Sequence, residues 1–142
     1  MRIRAASLIA LILCAGGCKG SSTSPSTTTD PGAAPTTIED FSGTLAVGGS
    51  VFYSFTIGAR GKANLTLNSV GGTDVPSTIQ VGLAIGQPSG TACSTGTPTT
   101  TAAGPGPQVT GGPFDPGVYC ADISDIGNLA ATATFDITIA HP

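Results

Sequence analysis

Residues 51–67 read VFYSFTIGARGKANLTL, and this stretch decides the fold class. Within residues 51–57 the alternate positions are apolar, so they share one face of an extended chain, because successive side chains of a strand point to opposite faces. Residues 58–61, Gly-Ala-Arg-Gly, then predict a turn, and residues 63–67 alternate again between apolar and polar side chains. This pattern indicates two half-buried strands joined by a short turn.

The same alternation recurs further along the chain. Apolar residues occupy alternate positions in 79–85 and again in 131–139, and the first of these runs is followed by a predicted turn, GQPSG, at 86–90. No stretch after the N-terminal segment keeps the apolar spacing of an amphipathic helix. We therefore expect residues 38–142 to form an all-β domain, an antiparallel, jelly-roll-like β-sandwich.

The composition agrees with a folded β-rich domain and excludes one class of partner. Charged residues are 9% of the 142, against about 25% in an average soluble domain, while Gly (21) and Pro (11) are frequent. The formal net charge is only −3, and the regular alternation argues against disorder. An acidic chain without a basic patch is not expected to bind nucleic acid.

The N-terminal segment has the organisation of a secretory signal peptide. Residues 1–4 include two arginines, residues 5–13 form an uncharged, largely apolar run, and residues 15–17 are small. A transmembrane helix is excluded by length, since residues 5–17 would span roughly 20 Å of a hydrocarbon core about 30 Å thick. We expect residues 1–17 to be removed.

The end of this segment, LCAGGC at 13–18, resembles the lipobox of bacterial lipoproteins, with Ala15 where that family usually has Leu. The resemblance implies that Cys18 carries a diacylglyceryl group, that Cys14 is lost with the signal peptide, and that the protein is held in the bacterial cell envelope by its lipid. Lys19, where Asp would favour the inner membrane, points to the outer membrane. The alternative is ordinary cleavage, which leaves Cys18 as a free thiol.

Residues 18–37 are interpreted as the lipidated cysteine followed by a disordered linker. Ser, Thr, Pro and Gly dominate from position 20 onward, and the segment contains no aromatic or large aliphatic residue to bury. A flexible chain of this length reaches roughly 25 Å. We expect a spacer between the membrane and the domain.

Two segments of the domain resemble the bacterial pre-peptidase C-terminal domain. They are FSGTLAVGGSVFYSFTIGARGKANLTL at 41–67 and FDPGVYCADI at 114–123, the latter with Tyr119, Ala121 and Ile123 facing inward. The resemblance implies a β-sandwich that acts as an accessory or binding module for protein or polysaccharide. This chain departs from the family at 78–83, TIQVGL, where the family often places acidic residues.

Cys93 and Cys120 are the two cysteines that remain in the exported domain, and we expect them to form a disulfide. By chain entropy, closing the loop between them stabilises the fold by roughly 3.6 kcal/mol. The segment 94–116 between them is expected to be the longest irregular loop, which is either a recognition surface or a loop without a binding role. Two cysteines and one histidine are too few ligands for zinc.

The acidic residues are weak candidates for a calcium site. Their carboxylates could supply oxygen ligands, but the same residues are also explained as solvent-face and turn positions; they are Asp115, Asp122, Asp125 and Asp136. We predict no metal and no cofactor.

No catalytic constellation is evident, so we predict that the chain is not an enzyme. The single histidine, His141, stands at the penultimate position, where we expect a frayed end, and a Ser-His-Asp or Cys-His arrangement has no other base. A cleft that gathered two carboxylates would reopen the question; the candidates are Asp74, Asp115, Asp122 and Asp125.

The sequence therefore predicts a membrane-anchored, non-catalytic envelope lipoprotein whose sandwich binds protein or polysaccharide. The alternative is a structural or assembly protein that pairs with another envelope protein through a sheet edge. An exposed aromatic platform would favour polysaccharide, and Phe52 and Phe114 are the aromatics expected to be free for it. A long, uncharged edge strand would favour the assembly role.

Overall fold

The computed structural model describes residues 37–142; the predicted signal peptide, Cys18 and the linker up to residue 36 lie outside the described residues. Within that range the chain forms nine strands and no helix, and so no helix that could cross a membrane. The strands are β1 (Thr37–Leu45), β2 (Ser50–Ile57), β3 (Gly61–Gly71), β4 (Val81–Ser89), β5 (Ala92–Thr95), β6 (Thr99–Thr101), β7 (Val109–Phe114), β8 (Gly117–Ser124) and β9 (Ala133–His141).

The strands form two antiparallel sheets that pack face to face. The first sheet has the order β1-β9-β3-β7, and the second has the order β2-β8-β4-β5, with β6 pairing beside β5 on β4. All pairings are antiparallel. The predicted all-β antiparallel sandwich is confirmed.

The core lies between the sheets and is built from the alternating positions. Of the residues that the alternation predicts to be inside, most are completely buried; they include Ile57, Leu65, Leu67, Leu83, Ile137 and Ile139. Val51 and Tyr53 in the first half of β2 also face the core but are only half-buried, whereas Phe55 and Ile57 in its second half are buried. The alternation in the sequence thus records which side of each strand meets the other sheet.

Two local predictions are wrong. Residues 86–89 are not a turn: β4 continues to Ser89 and pairs with β5, and the chain reverses at 90–91. Residues 94–116 are not one irregular loop, since β6, β7 and the end of β5 lie within them. In both places the strands are stabilised by pairing with neighbours, and their sequences lack the apolar alternation that reveals a half-buried strand.

His141 is not at a frayed end. It closes β9, is 2% exposed, and its Nε2 lies 2.9 Å from Oε1 of Glu39 on β1. Its ring packs against Phe55 with centroids 5.1 Å apart. Antiparallel pairing with β1 buries the last residues of the chain, and a distant segment of the sequence supplies these contacts.

Both termini of the described chain meet at one end of the sandwich. Thr37 pairs with His141, and Gly58, which directly follows β2, donates a hydrogen bond from its N–H to the carbonyl of Pro142. The register also brings the start of β3 to the end of β7, where Gly61 pairs with Phe114. We call this end, where β1 begins and β9 finishes, the terminal end.

Candidate functional site

A disulfide joins two strands of the second sheet. Cys93 lies on β5 and Cys120 on β8, with β4 between them, and their Cα atoms are 6.0 Å apart. Cys120 is completely buried and Cys93 is half-buried. The predicted Cys93–Cys120 disulfide is thus present, and it ties β5 to a central strand of the sheet.

Where β4 pairs with β5, it carries a glycine that no larger residue can replace in this geometry. Gly86 pairs with both Cys120 and Thr95. A Cβ on residue 86 would lie 2.2 Å from the carbonyl oxygen of Ser94. The absence of a side chain on Gly86 therefore allows β5 to lie close over β4.

A cleft of about 390 Å³ opens beside this close contact between β4 and β5, toward the terminal end of the sandwich. Residues from β4, β5, β7 and β8 converge on it; they are Gly86, Gln87, Ser94, Pro113, Phe114, Asp115 and Tyr119. Its volume lies within the range of small-molecule sites, roughly 300–1,000 Å³. The cleft is the candidate functional site of the described residues.

Two aromatic rings form the apolar part of the cleft. The centroids of Phe114 and Tyr119 are 4.8 Å apart with ring planes at 48°, and Tyr119 also contacts Phe55 of the core at 6.2 Å. The Tyr119 hydroxyl donates a hydrogen bond to the carbonyl of Asp115 at 3.0 Å. Because packing and this hydrogen bond hold both rings in place, they form a preorganised apolar surface.

Polar groups surround that surface. Gln87 and Ser94 are exposed, and the Asp115 side chain is 81% exposed. Nε of Arg60 lies 3.3 Å from Oδ1 of Asp115. An ion pair so exposed contributes little to stability, but it offsets the charge of the carboxylate. The cleft thus combines aromatic carbon with hydrogen-bonding groups and has little net charge.

The structure separates the acidic residues that the sequence offered as metal ligands. Asp115 lies at the cleft, Asp122 lies within β8, and Asp125 lies in the loop after it. Asp136 is on β9, in the first sheet. Among residues 37–142 no three His, Cys, Asp or Glu side chains gather as a metal site.

Asp125 is engaged by backbone groups. Its Oδ2 accepts a hydrogen bond from the N–H of Gly48 at 2.7 Å, and its Oδ1 accepts from the N–H groups of Gly127, Asn128 and Leu129. These hydrogen bonds, that from Gly48 first, hold the pKa of the carboxyl below its usual value despite an opposing effect of partial desolvation. Asp125 therefore fastens its own loop to the turn between β1 and β2.

Asp122 is not the solvent-face acid that the sequence suggested. It is 9% exposed and pairs with Phe52 of β2 and Ala84 of β4 on the outward face of the second sheet. Neither flanking strand contains a charged residue. Burial accordingly raises the pKa of the Asp122 carboxyl.

The sequence pointed to part of the cleft and missed the rest. The sequence predicts that Phe114 is free; it is half-buried on β7 of the first sheet and lines the cleft. Phe52 is half-buried on β2, an edge strand of the second sheet, and is not among the residues that line the cleft. Tyr119 belongs to the core, as the sequence predicts, and also lines the cleft. Gln87 lies on β4 where the sequence predicts a turn, and it lines the cleft as well. The sequence signal for the cleft is that Phe114, Asp115 and Tyr119 stand close together, directly before Cys120 of the disulfide.

The chain matches no model of a known protein family, and no curated protein matches it.

Proposed function

We propose that this protein is a lipid-anchored, non-catalytic lipoprotein of the bacterial cell envelope whose β-sandwich binds polysaccharide in the cleft. The observation that carries the proposal is the cleft's pairing of two fixed aromatic rings, Phe114 and Tyr119, with the side chains of Asp115 and Gln87. The proposal is in keeping with the accessory role implied by the resemblance to the pre-peptidase C-terminal domain.

The chemistry of the cleft suits a neutral sugar. A pyranose ring has an apolar face of C–H groups that packs on an aromatic ring, and a rim of hydroxyls that need donors and acceptors. Phe114 would supply the first contact, and the Asp115 carboxylate and the Gln87 amide would supply the second. Because Arg60 offsets the charge of Asp115, a neutral polymer is favoured over a strongly charged one.

Binding without hydrolysis is supported by the number of acids at the cleft. Glycoside hydrolysis ordinarily uses two carboxyl groups that flank the scissile bond. Asp115 is the one carboxylate among the residues lining the cleft, and Asp122 and Asp125 belong to other parts of the second sheet and its loops. We therefore assign the cleft to recognition.

Anchoring rests on the sequence of the first eighteen residues, and the fold is compatible with it. The signal-peptide pattern and the LCAGGC stretch support lipidation of Cys18, with the outer membrane as the expected location. The first described strand, β1, begins at Thr37 at the terminal end, where the cleft also opens.

The cleft is tested by NMR titration of the purified protein with neutral hexasaccharides (cello-, chito-, xylo- and malto-hexaose). We expect shifts of the Phe114 and Tyr119 ring signals and a loss of affinity of roughly tenfold or more in Phe114→Ala, as for truncation of a central aromatic anchor. Gln87→Ala, at an exposed position, should weaken binding without affecting folding. Phe52→Ala is the matched control.

Three outcomes would overturn the assignment to polysaccharide. One is that no hexasaccharide changes the spectrum, and another is that Phe52→Ala weakens binding as much as Phe114→Ala. The third is binding of a proline-rich peptide in the cleft in place of the sugars, since such peptides also dock in aromatic grooves; that result would assign the cleft to a protein partner.

The anchor is tested by fractionating cells that produce the full chain. Cys18→Ala should move the protein from the membrane fraction to the soluble fraction, whereas Cys14→Ala should leave it in the membrane fraction. Unchanged fractionation of Cys18→Ala would refute lipid anchoring. The binding test above does not depend on this result, because it uses the purified protein.

A further inference from the structure

Sandwich proteins must protect the free edges of their sheets, because an unpaired strand edge presents N–H and C=O groups to other chains. In residues 37–142 these edges are β1 and β7 in the first sheet, and β2 and the β5–β6 side in the second. Each edge can be compared for the features that prevent pairing: charges, proline, bulges and short length.

Three of the edges carry such features. β1 includes Glu39 and Asp40, and β7 ends in Gly111-Gly112-Pro113-Phe114. β5 and β6 have only four and three residues. These edges are poor templates for an additional strand, because each lacks the length, the neutral side chains or the regular backbone that pairing needs.

β2 carries none of them. It has eight residues, SVFYSFTI, without a charge, a proline or a glycine, and it is rich in aromatic and β-branched side chains. It pairs with β8 over its full length and has no second partner among the described strands. Its outer edge is the long, uncharged edge of this sandwich.

Contacts from β1 support β2 from the inside without pairing its backbone. The Tyr53 hydroxyl donates a hydrogen bond to the carbonyl of Ser42 at 3.0 Å, and the Tyr53 ring stacks on Phe41 with centroids 4.5 Å apart. Within residues 37–142 no backbone hydrogen bond joins β2 to β1. These side-chain contacts pack β2 against β1 and leave the backbone groups on the outer edge of β2 without a strand partner among the described residues.

We propose that β2 is an interface between two copies of this chain, which pair β2 with β2 in antiparallel orientation. A two-fold contact places the strand against itself, and an uncharged strand can do this without opposing like charges, which destabilise strand pairs. The second sheet of one copy then continues into the second sheet of the other copy. This contact is independent of the cleft and would serve a structural role.

The pairing that is centred on Ser54 fits the side chains. Residues 50, 52, 54 and 56 share the outward face, so Phe52 of each copy lies opposite Thr56 of the second copy, an aromatic and β-branched pair of the kind that stabilises strand pairing. On the inward face, Tyr53 lies opposite Phe55. Because an edge contact buries little surface, association in solution is expected to be weak, in the micromolar to millimolar range.

Sedimentation velocity over a micromolar to millimolar series of the purified protein tests this interface. We expect a monomer–dimer equilibrium that Ser54→Lys weakens roughly tenfold or more, because the two lysines would lie opposite each other. Ser42→Lys adds the same charge to β1, also at an exposed edge position, and should leave the equilibrium unchanged.

Amide hydrogen exchange supplies a test that does not rely on a variant. Amides of Ser50–Ile57 that are unprotected in dilute solution should become protected as the concentration rises. The proposal would be overturned if the protein is a monomer at every concentration or forms oligomers larger than the dimer. It would also be overturned if the exchange of β2 amides does not depend on concentration, or if the two lysine variants have equal effects.

Discussion

The carbonyl oxygen of Ser94 lies directly over Gly86, so that a Cβ on residue 86 would be 2.2 Å away from it. Gly86→Ala must therefore displace β5 from β4, and we expect a loss of roughly 1–3 kcal/mol in the free energy of unfolding. Calorimetry should show a fall in Tm of several degrees. Gly96→Ala, between β5 and β6, is the matched control, since an added Cβ there meets nothing within 4 Å. An equal fall in Tm in both variants would contradict the close contact between Gly86 and Ser94.

The double variant Cys93→Ala/Cys120→Ala removes the disulfide that joins β5 to β8. The disulfide closes a loop with a sequence separation of 27, and the chain-entropy model assigns such a loop roughly 3.6 kcal/mol. Chemical denaturation should show a loss of about 3–4 kcal/mol. Reduction of the unsubstituted protein should lower the stability by a similar amount, and free thiols at both positions in the oxidised protein would disprove the bond.

Asp125 should make the protein sensitive to acid. Its folded-state pKa lies below the usual 3.8, so its stabilising contribution is complete above that pH and is lost as the pH falls through the folded-state value. Asp125→Ala should therefore lower Tm at neutral pH, and its difference from the unsubstituted protein should shrink in acid below about pH 3.8. A difference in Tm that stays constant across this range would contradict the role of the carboxylate.

Asp122 should act in the opposite sense. Its folded-state pKa is raised above 3.8 by burial, so its contribution is most favourable below pH 3.8 and is lost as the pH rises through the folded-state value. Asp122→Asn, which stays neutral, should therefore raise Tm at pH 7 and have little effect at low pH. Asp74→Asn makes the same change in charge at an exposed position and should leave Tm nearly unchanged, whereas a lower Tm for Asp122→Asn at pH 7 would contradict the cost of burying the charge.

Apolar alternation predicts the fold class because it reports burial on one face. The residues of β2, β3 and β9 that alternate in sequence are the ones that meet between the sheets, with Leu65 and Ile137 among those completely buried. Alternation fails in β7, whose sequence VTGGPF contains two glycines and a proline. That strand exists because β3 pairs with it, and such pairing partners are not visible in a single sequence.

The environment of single polar residues could not be read from the sequence for the same reason. His141 is buried because β1 and β2 supply Glu39 and Phe55, which lie far away in the chain. Asp122 is buried because Phe52 and Ala84 flank it. The cleft likewise brings Gln87 of the second sheet to Phe114 of the first sheet. This meeting depends on how the two sheets pack, which a single sequence does not show.

The meeting of Thr37 and His141 at the terminal end would have a mechanical consequence if the proposed anchor and polymer site are both in use. A polymer held between Phe114 and Gln87 and a membrane attachment that pulls on Thr37 would apply tension across that one end of the sandwich. The load would pass through the first pairs of β1 with β9, which the contact between Glu39 and His141 reinforces. The opposite end, with the loop held by Asp125, would carry no tension, so the domain would act as a short coupling between two surfaces.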